Sequence, residues 1–192
     1  MIDLKPPIRR ATAADATALA DLVDFAGEGM PRYLWRQMAG DGEDPWQIGR
    51  QRQAGKAEEG QIFVIDEGEG AIASLTGYVI SHDPEPIPDD LPAVFRPLQE
   101  LENLAPTTWY VNVLAAYPEH RGRGFGVLLL ALSEDLAREQ GLSAMSLIVA
   151  SSNEGARRLY ERIGYVETAR RAVVKNGWDC DSTEWVLLVK PL

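Results

Sequence analysis

The sequence predicts a mixed α/β domain in which one sheet carries helices on both faces, and three observations lead there. Strand-like and helix-periodic stretches follow the order strand, two helices, three strands, helix, strand, helix, two strands, the pattern of a mixed layered fold. Capping residues and glycines punctuate the helical stretches at their starts and ends. The 192 residues are 45% hydrophobic and 25% charged, which suits one globular domain spanning 1–192, and neither an internal repeat nor a low-complexity segment divides them.

Ile8, Arg9 and Arg10 open the chain as a short strand. Thr12 with Asp15 three residues on forms a capping-box signature, and Leu19, Leu22, Val23 and Ala26 repeat at helical spacing until Gly27 and Gly29. Asp44-Pro45 starts a second helix that fades by Gly60, since Asp caps well and Pro suits the first helical turn. Gln61 to Asp66 and Ala71 to Ser81 are β-rich and joined by a turn at Glu67 to Gly70. His82 to Pro106 is a connection with six prolines, long enough to imply a functional rim or interface, with room for a short helix around Ala93 to Leu101.

Trp109 to Ala116 reads as an apolar strand. Gly124 to Gln140 reads as a helix with Leu129, Leu132 and Leu136 on one face and Gly141 as its stop. Ser143 to Ala150 is the next strand. Ser151 with Glu154 forms a second capping box, with Asn153 competing as cap, ahead of the periodic Ala156, Leu159, Tyr160 and Ile163 and the stop at Gly164. Val166 to Lys175 and Thr183 to Lys190 form a strand pair around the Asn176-Gly177 turn signal.

Composition narrows the function. No run approaches the ~20 apolar residues of a bilayer span. Asp3, Lys5, Pro6 and Pro7 interrupt the place where an export signal would have its apolar core, so the cytoplasm is the expected location and no membrane partner is expected. One cysteine, Cys180, and two histidines, His82 and His120, make neither a disulfide nor a zinc set, so no metal is expected. A formal charge of -10 disfavours nucleic acid and is compatible with a basic acceptor.

The chemistry concentrates in Arg121-Gly122-Arg123-Gly124-Phe125-Gly126, between an apolar strand and the first turn of a helix. Helix geometry leaves the backbone N–H groups there without partners, and glycines let a diphosphate approach them while the arginines add positive potential. The loop lacks the Gly-Lys-Ser/Thr of a P-loop. It spaces its glycines as G-x-G-x-G, where a dinucleotide fold needs G-x-G-x-x-G.

These residues resemble the GCN5-related N-acetyltransferase (GNAT) superfamily. Its acyl-CoA signature R/Q-x-x-G-x-G/A is met by Arg121, Gly124 and Gly126, with Pro118-Glu119-His120 as lead-in. Asn153-Glu154-Gly155-Ala156-Arg157-Arg158-Leu159-Tyr160 through Gly164-Tyr165 is similar to the family's N-x-x-A-x-x-L-Y-x-x-x-G-F/Y segment. The resemblance is close over 109–166. It implies a mostly antiparallel twisted sheet splayed between its fourth and fifth strands, with 1–106 as the acceptor-side half and 107–192 as the half that binds acetyl-CoA as cosubstrate. It further implies that the pantetheine arm pairs with backbone at Leu114 and Ala116 and that the diphosphate sits on Arg121, Gly122, Arg123, Gly124, Phe125 and Gly126. Asn153 would contact the pantetheine, and Arg157 and Arg158 could meet the adenosine phosphates.

For catalysis the resemblance points to Tyr160 as the general acid that protonates the departing thiolate. An alkylammonium acceptor, pKa near ~10.4, needs a base. The family often takes a glutamate on or beside the fourth strand; Asn112 stands in that strand here, and an amide is no base. Glu28, Glu100 and Glu102, with Tyr110 acting through water, are the candidates. Met30 to Trp35 supplies aromatics for an acceptor wall or for a homodimer contact. The activity expected is acetyl transfer to a primary amine of a small molecule or peptide. The alternative is a non-catalytic acyl-CoA sensor or scaffold that has lost its base.

Overall fold

The computed structural model describes residues 2–192. Its strands are β1 (Ile8–Arg10), β2 (Ile62–Asp66), β3 (Ala71–Val79), β4 (Trp109–Ala116), β5 (Ala144–Ala150), β6 (Val166–Ala172) and β7 (Glu184–Pro191). Its helices are α1 (Ala16–Ala26), α2 (Met30–Met38), α3 (Pro45–Glu58), α4 (Arg96–Glu102), α5 (Phe125–Glu139) and α6 (Glu154–Arg162). The strands order as β1-β2-β3-β4-β5-β7-β6 in a mostly antiparallel sheet whose parallel pair is β4 with β5. This is the mixed α/β class that the alternation of elements predicts. No helix among the described residues is long and apolar enough to cross a membrane. The chain divides into two compact units, the residues up to Gly77 with Val113–Ala131, and Tyr78–Asn112 with Leu132–Leu192.

In the first unit β1, β2 and β3 form an antiparallel meander. Helices α1 and α3 pack together, and Leu19 and Ala57 join Ile62 and Val64 of β2, with Ala11 and Ala71, in one buried cluster. The Thr12/Asp15 capping box forms: Thr12 donates its backbone N–H to the Asp15 carboxylate at 2.8 Å, at the head of a 3-10 turn (Ala13–Asp15) leading into α1. Arg9 grips the same carboxylate with two bonds of 2.7 and 2.8 Å and reaches Asp66 at 2.8 Å, tying β1 to the first helical turn and to the end of β2. The guanidinium holds the Asp15 carboxyl below the usual carboxylate range.

Met30–Met38 is a correction to the sequence reading, which left these residues between helices: they are the helix α2. Its cap is not local. Gly29 enters the helix with a positive φ of 80° and offers no side chain, and the exposed Arg32 N–H is satisfied by the Asp24 carboxylate, 2.9 Å away and eight residues back in α1. Burial pushes the Asp24 carboxyl upward. Capping-box patterns look three residues ahead, so a cap supplied from the preceding helix escapes them.

Trp35 of α2 lies against the backbone of α3 at Gly49, where an added Cβ would stand 2.5 Å from the indole ring. The ring is buried and already packed edge-on to Trp46 at 5.7 Å, so it has nowhere to move. Gly→Ala inside a helix ordinarily gains about 1 kcal/mol. Gly49→Ala is expected instead to destabilise by about 1–2 kcal/mol, the overpacking cost exceeding the propensity gain. A lowered urea midpoint at unchanged m-value is the measurement.

In the second unit β7 pairs antiparallel with both β5 and β6, and β4 runs parallel to β5 in the register Trp109↔Met145, Tyr110↔Ser146 and Val111↔Leu147. Side-chain period two assigns the faces. Lys190 of β7 meets Glu134 of α5. Arg171, cross-strand from Trp185, meets Glu100 of α4 at 2.8 Å. Residues 185 and 190 point to opposite faces, so in this unit α5 covers one face and α4 the other. Tyr110 pairs with Ser146, which pairs with Val189, and so projects on the α4 face.

Two further expectations are refined. The short helix lies at Arg96–Glu102, ending one residue later than the sequence pattern suggests. The Asn176-Gly177 turn forms, with φ of 41° and 90° and Trp178 N–H donating to Lys175 O at 2.7 Å. The ladder nevertheless stops at Ala172 and resumes at Glu184, because Trp178, Cys180 and Ser182 turn inward and are buried, Trp178 stacking on Trp185 at 5.9 Å.

Candidate active site

In the first unit, β4 runs out at Ala116, a 3-10 turn follows at Pro118–His120, and Arg121 to Gly124 deliver the chain to α5. Gly122 and Gly124 have φ of 75° and 87°, which only glycine adopts without strain. A Cβ at either would meet nothing within 4 Å, so space lies open above the backbone. Leu128 N–H donates to Gly124 O at 3.1 Å, which closes the first turn and leaves the amides of Phe125, Gly126 and Val127 without intrahelical acceptors.

Both arginines of the loop are exposed and oriented. Arg121 donates to Ala116 O at 3.2 Å and lies 6.0 Å from the Phe25 ring. Arg123 stacks at 4.8 Å on Phe125 and pairs with Glu67 at 2.8 Å. His120 Nδ1 lies 3.1 Å from Arg123 Nη1 and must accept there, because guanidinium has only donors. Open backbone, bare amides and two cations are the donor set a diphosphate requires, and the loop fits that group.

The second unit gathers a different set, with Tyr78, Tyr110 and Glu102 on its α4 face and Tyr160 against Tyr165, which reaches Met145 on the α5 face. Tyr78, at the end of β3, donates its hydroxyl to Glu102 at 2.8 Å. The Tyr78 and Tyr110 rings lie 5.2 Å apart. Tyr110 is raised well above the ordinary phenol range, by burial first and then by the nearby Glu102, Tyr78 and Tyr160. Burial also pushes the Glu102 carboxyl upward, the Tyr78 hydrogen bond opposing and Glu85 adding to the rise. Tyr160, near the end of α6, is 7% exposed and is raised by burial alone, which keeps its phenol protonated. Its ring packs edge-on to Tyr165 at 5.7 Å.

Of the three glutamates left open by the sequence, the structure brings Glu102 to Tyr78, within charge reach of Tyr110. Glu100, two residues away, faces β6 and is ion-paired to Arg171. Glu28 belongs to the other unit, in the turn between α1 and α2, with a φ of 54°. Asn153 is the cap of α6, its side chain accepting from Ala156 N–H at 3.2 Å, which settles the competition with Ser151. Ser151 instead contacts Ser182 at 2.9 Å. Leu114 and Ala116 are half-buried at the end of β4. Arg158 is paired with Glu154 at 3.0 Å, and Arg157 lies within 3.8 Å of Glu161 and 3.6 Å of Glu167. The sequence reading missed Tyr78. Its partner is 24 residues distant, and the only local signal is an aromatic at the end of a strand.

Comparison with known proteins identifies the family and the fold. The acetyltransferase (GNAT) family model matches residues 28–165, and the chain belongs to that family. An uncharacterised N-acetyltransferase of Bacillus subtilis, YycN, is 40% identical over 59 residues, 31% of this chain and 38% of that protein, so the match spans well under half of the relative's length. Among solved structures, a mosquito arylalkylamine N-acetyltransferase-like protein 5b aligns with a TM-score of 0.67 at 18% identity, over 96% of this chain and 99% of the other. An N-acetyltransferase of Thermoplasma acidophilum in complex with coenzyme A aligns with a TM-score of 0.59 at 13% identity, over 96% and 98%. These two structural likenesses establish a shared fold.

Proposed function

We propose that the chain transfers an acetyl group from acetyl-CoA to a primary amine of a small molecule or peptide by direct attack, with both substrates bound at once. The observation that carries this reading is Glu102, a carboxylate made more basic by burial, hydrogen-bonded to Tyr78 and neighboured by Tyr110. Acetyl-CoA supplies the acetyl group already activated as a thioester. The amides of Phe125 and Gly126, with Arg121 and Arg123, hold its diphosphate, and Leu114 and Ala116 present backbone to its pantetheine arm.

Glu102 takes the proton that the amine sheds as the nitrogen–acetyl bond forms. Tyr160 gives its proton to the sulfur as the carbon–sulfur bond breaks, so the products are the amide and the free thiol of coenzyme A. Proton exchange with solvent returns both side chains to their starting states. The raised phenol of Tyr160 suits it to this role, since it stays protonated at neutral pH.

The experiment is thiol release from acetyl-CoA over a panel of amines. The expected result is turnover, with Tyr160→Phe lowering kcat by roughly tenfold to a hundredfold at unchanged acetyl-CoA affinity. Tight coenzyme A binding without thiol release on any amine would assign the chain to a sensor or scaffold role.

A further inference from the structure

The connection after β3 is pinned beside the proposed base. Asn103, next to Glu102, accepts the Glu85 N–H on Oδ1 at 3.1 Å and donates from Nδ2 to Glu85 O at 2.8 Å, while Gln99 braces it at 3.3 Å. Both backbone groups of Glu85 are thereby fixed. The Glu85 carboxylate is exposed and has no ion-pair partner among the described residues. Its charge reaches both Glu102 and Tyr78.

A second, independent feature lies at the same place. The Tyr110 side chain is 4% exposed and packs its ring on Tyr78, and its hydroxyl makes no hydrogen bond among the described residues, with the Glu102 charge within reach. The phenol oxygen is open to accept from an incoming ammonium. The Tyr78 ring, 39% exposed, offers a π face against Tyr110. Two carboxylates, an open hydroxyl and an exposed aromatic ring make a receptor for positive charge.

We infer that the acceptor is a diamine, an amine with a second cationic centre, whose reacting nitrogen faces Glu102 while the second ammonium rests between the Glu85 carboxylate and the Tyr78 ring. This rests on the transferase reading of the same site. A monoamine leaves Glu85 uncompensated; a diamine neutralises it, and so gains affinity without changing the chemical step.

The probes are putrescine and n-butylamine, which differ by one terminal ammonium. Putrescine is expected to have a KM roughly tenfold lower, with the advantage shrinking as salt rises, since part of the pair is exposed. In Glu85→Gln the putrescine-to-butylamine ratio of kcat/KM falls toward unity, and Asn103→Ala, which releases the loop, gives a partial fall. Calorimetry of putrescine binding to the full chain with coenzyme A present gives a readout independent of turnover, and Glu85→Gln weakens it by a similar factor. Equal use of the two amines, or a ratio indifferent to Glu85→Gln, overturns the inference and leaves the transferase reading standing. Putrescine binding through Glu85 without thiol release supports the diamine site and removes the transferase reading. Absence of putrescine binding by calorimetry overturns the inference.

Discussion

Glu102→Gln is expected to lower kcat by roughly a hundredfold to ten-thousandfold while raising the melting temperature at neutral pH. Loss of rate follows because the amide cannot accept the proton, although it can still accept the Tyr78 hydroxyl and so preserves the local geometry. Gain in stability follows from the direction of the Glu102 shift. The folded carboxyl sits above its ordinary value because burial disfavours the charge. A raised folded pKa means that the fold prefers the protonated form, so the wild-type chain is penalised above the folded pKa and unpenalised below the unfolded value of about 4.3.

The melting-temperature difference between variant and wild type therefore grows as pH rises through the folded pKa and vanishes below the unfolded one. In the wild-type enzyme kcat falls on the acid side through the same raised pKa, and the variant lacks that limb. Thermal melts and kcat profiles across pH test both halves. A variant of unchanged rate, or one less stable than wild type at neutral pH, removes Glu102 from the base position.

Gly124→Glu is expected to weaken coenzyme A binding by roughly a hundredfold or more while leaving the chain folded. The new carboxylate would stand in the open space above the loop, where the diphosphate is expected, and would oppose the bare amides of the first turn of α5. Room for the side chain exists, since a Cβ meets nothing within 4 Å, so the structural penalty is confined to the left-handed backbone at φ 87°, about 1 kcal/mol. Gly124→Ala carries the same backbone cost without the charge, and its affinity should lie close to wild type. Equal losses in the two variants would trace the effect to strain in the loop and away from electrostatics.

The β4–α5–β5–α6 stretch was legible in the sequence because its signals are local. A glycine stop, a cap at Asn153 and the bare first turn of α5 are each set by a few neighbouring residues. What escaped was set from afar. Helix α2 takes its cap from Asp24 in the previous helix, and α3 accommodates it through Gly49, a glycine that resembles a flaw in a helix until Trp35 is placed against it.

The same division runs through the site. The candidates Arg121, Gly124 and Gly126 follow from spacing, whereas separating Glu102 from Glu100 and Glu28 as a candidate requires knowing which carboxylate meets Tyr78 and which meets Arg171. The residue pattern of one short helix after a proline-rich connection does not encode that. Nor does the sequence mark Glu85, whose importance comes from a side chain, Asn103, that holds its backbone from 18 positions away.

The amides opening α5 are expected to bind the diphosphate of coenzyme A. Isothermal titration of the folded chain with coenzyme A tests it most directly: saturable one-site heat is expected, and Gly124→Glu should abolish it while Gly124→Ala retains it. A wild-type chain that is folded by circular dichroism yet gives no saturable heat with coenzyme A or acetyl-CoA would contradict the account.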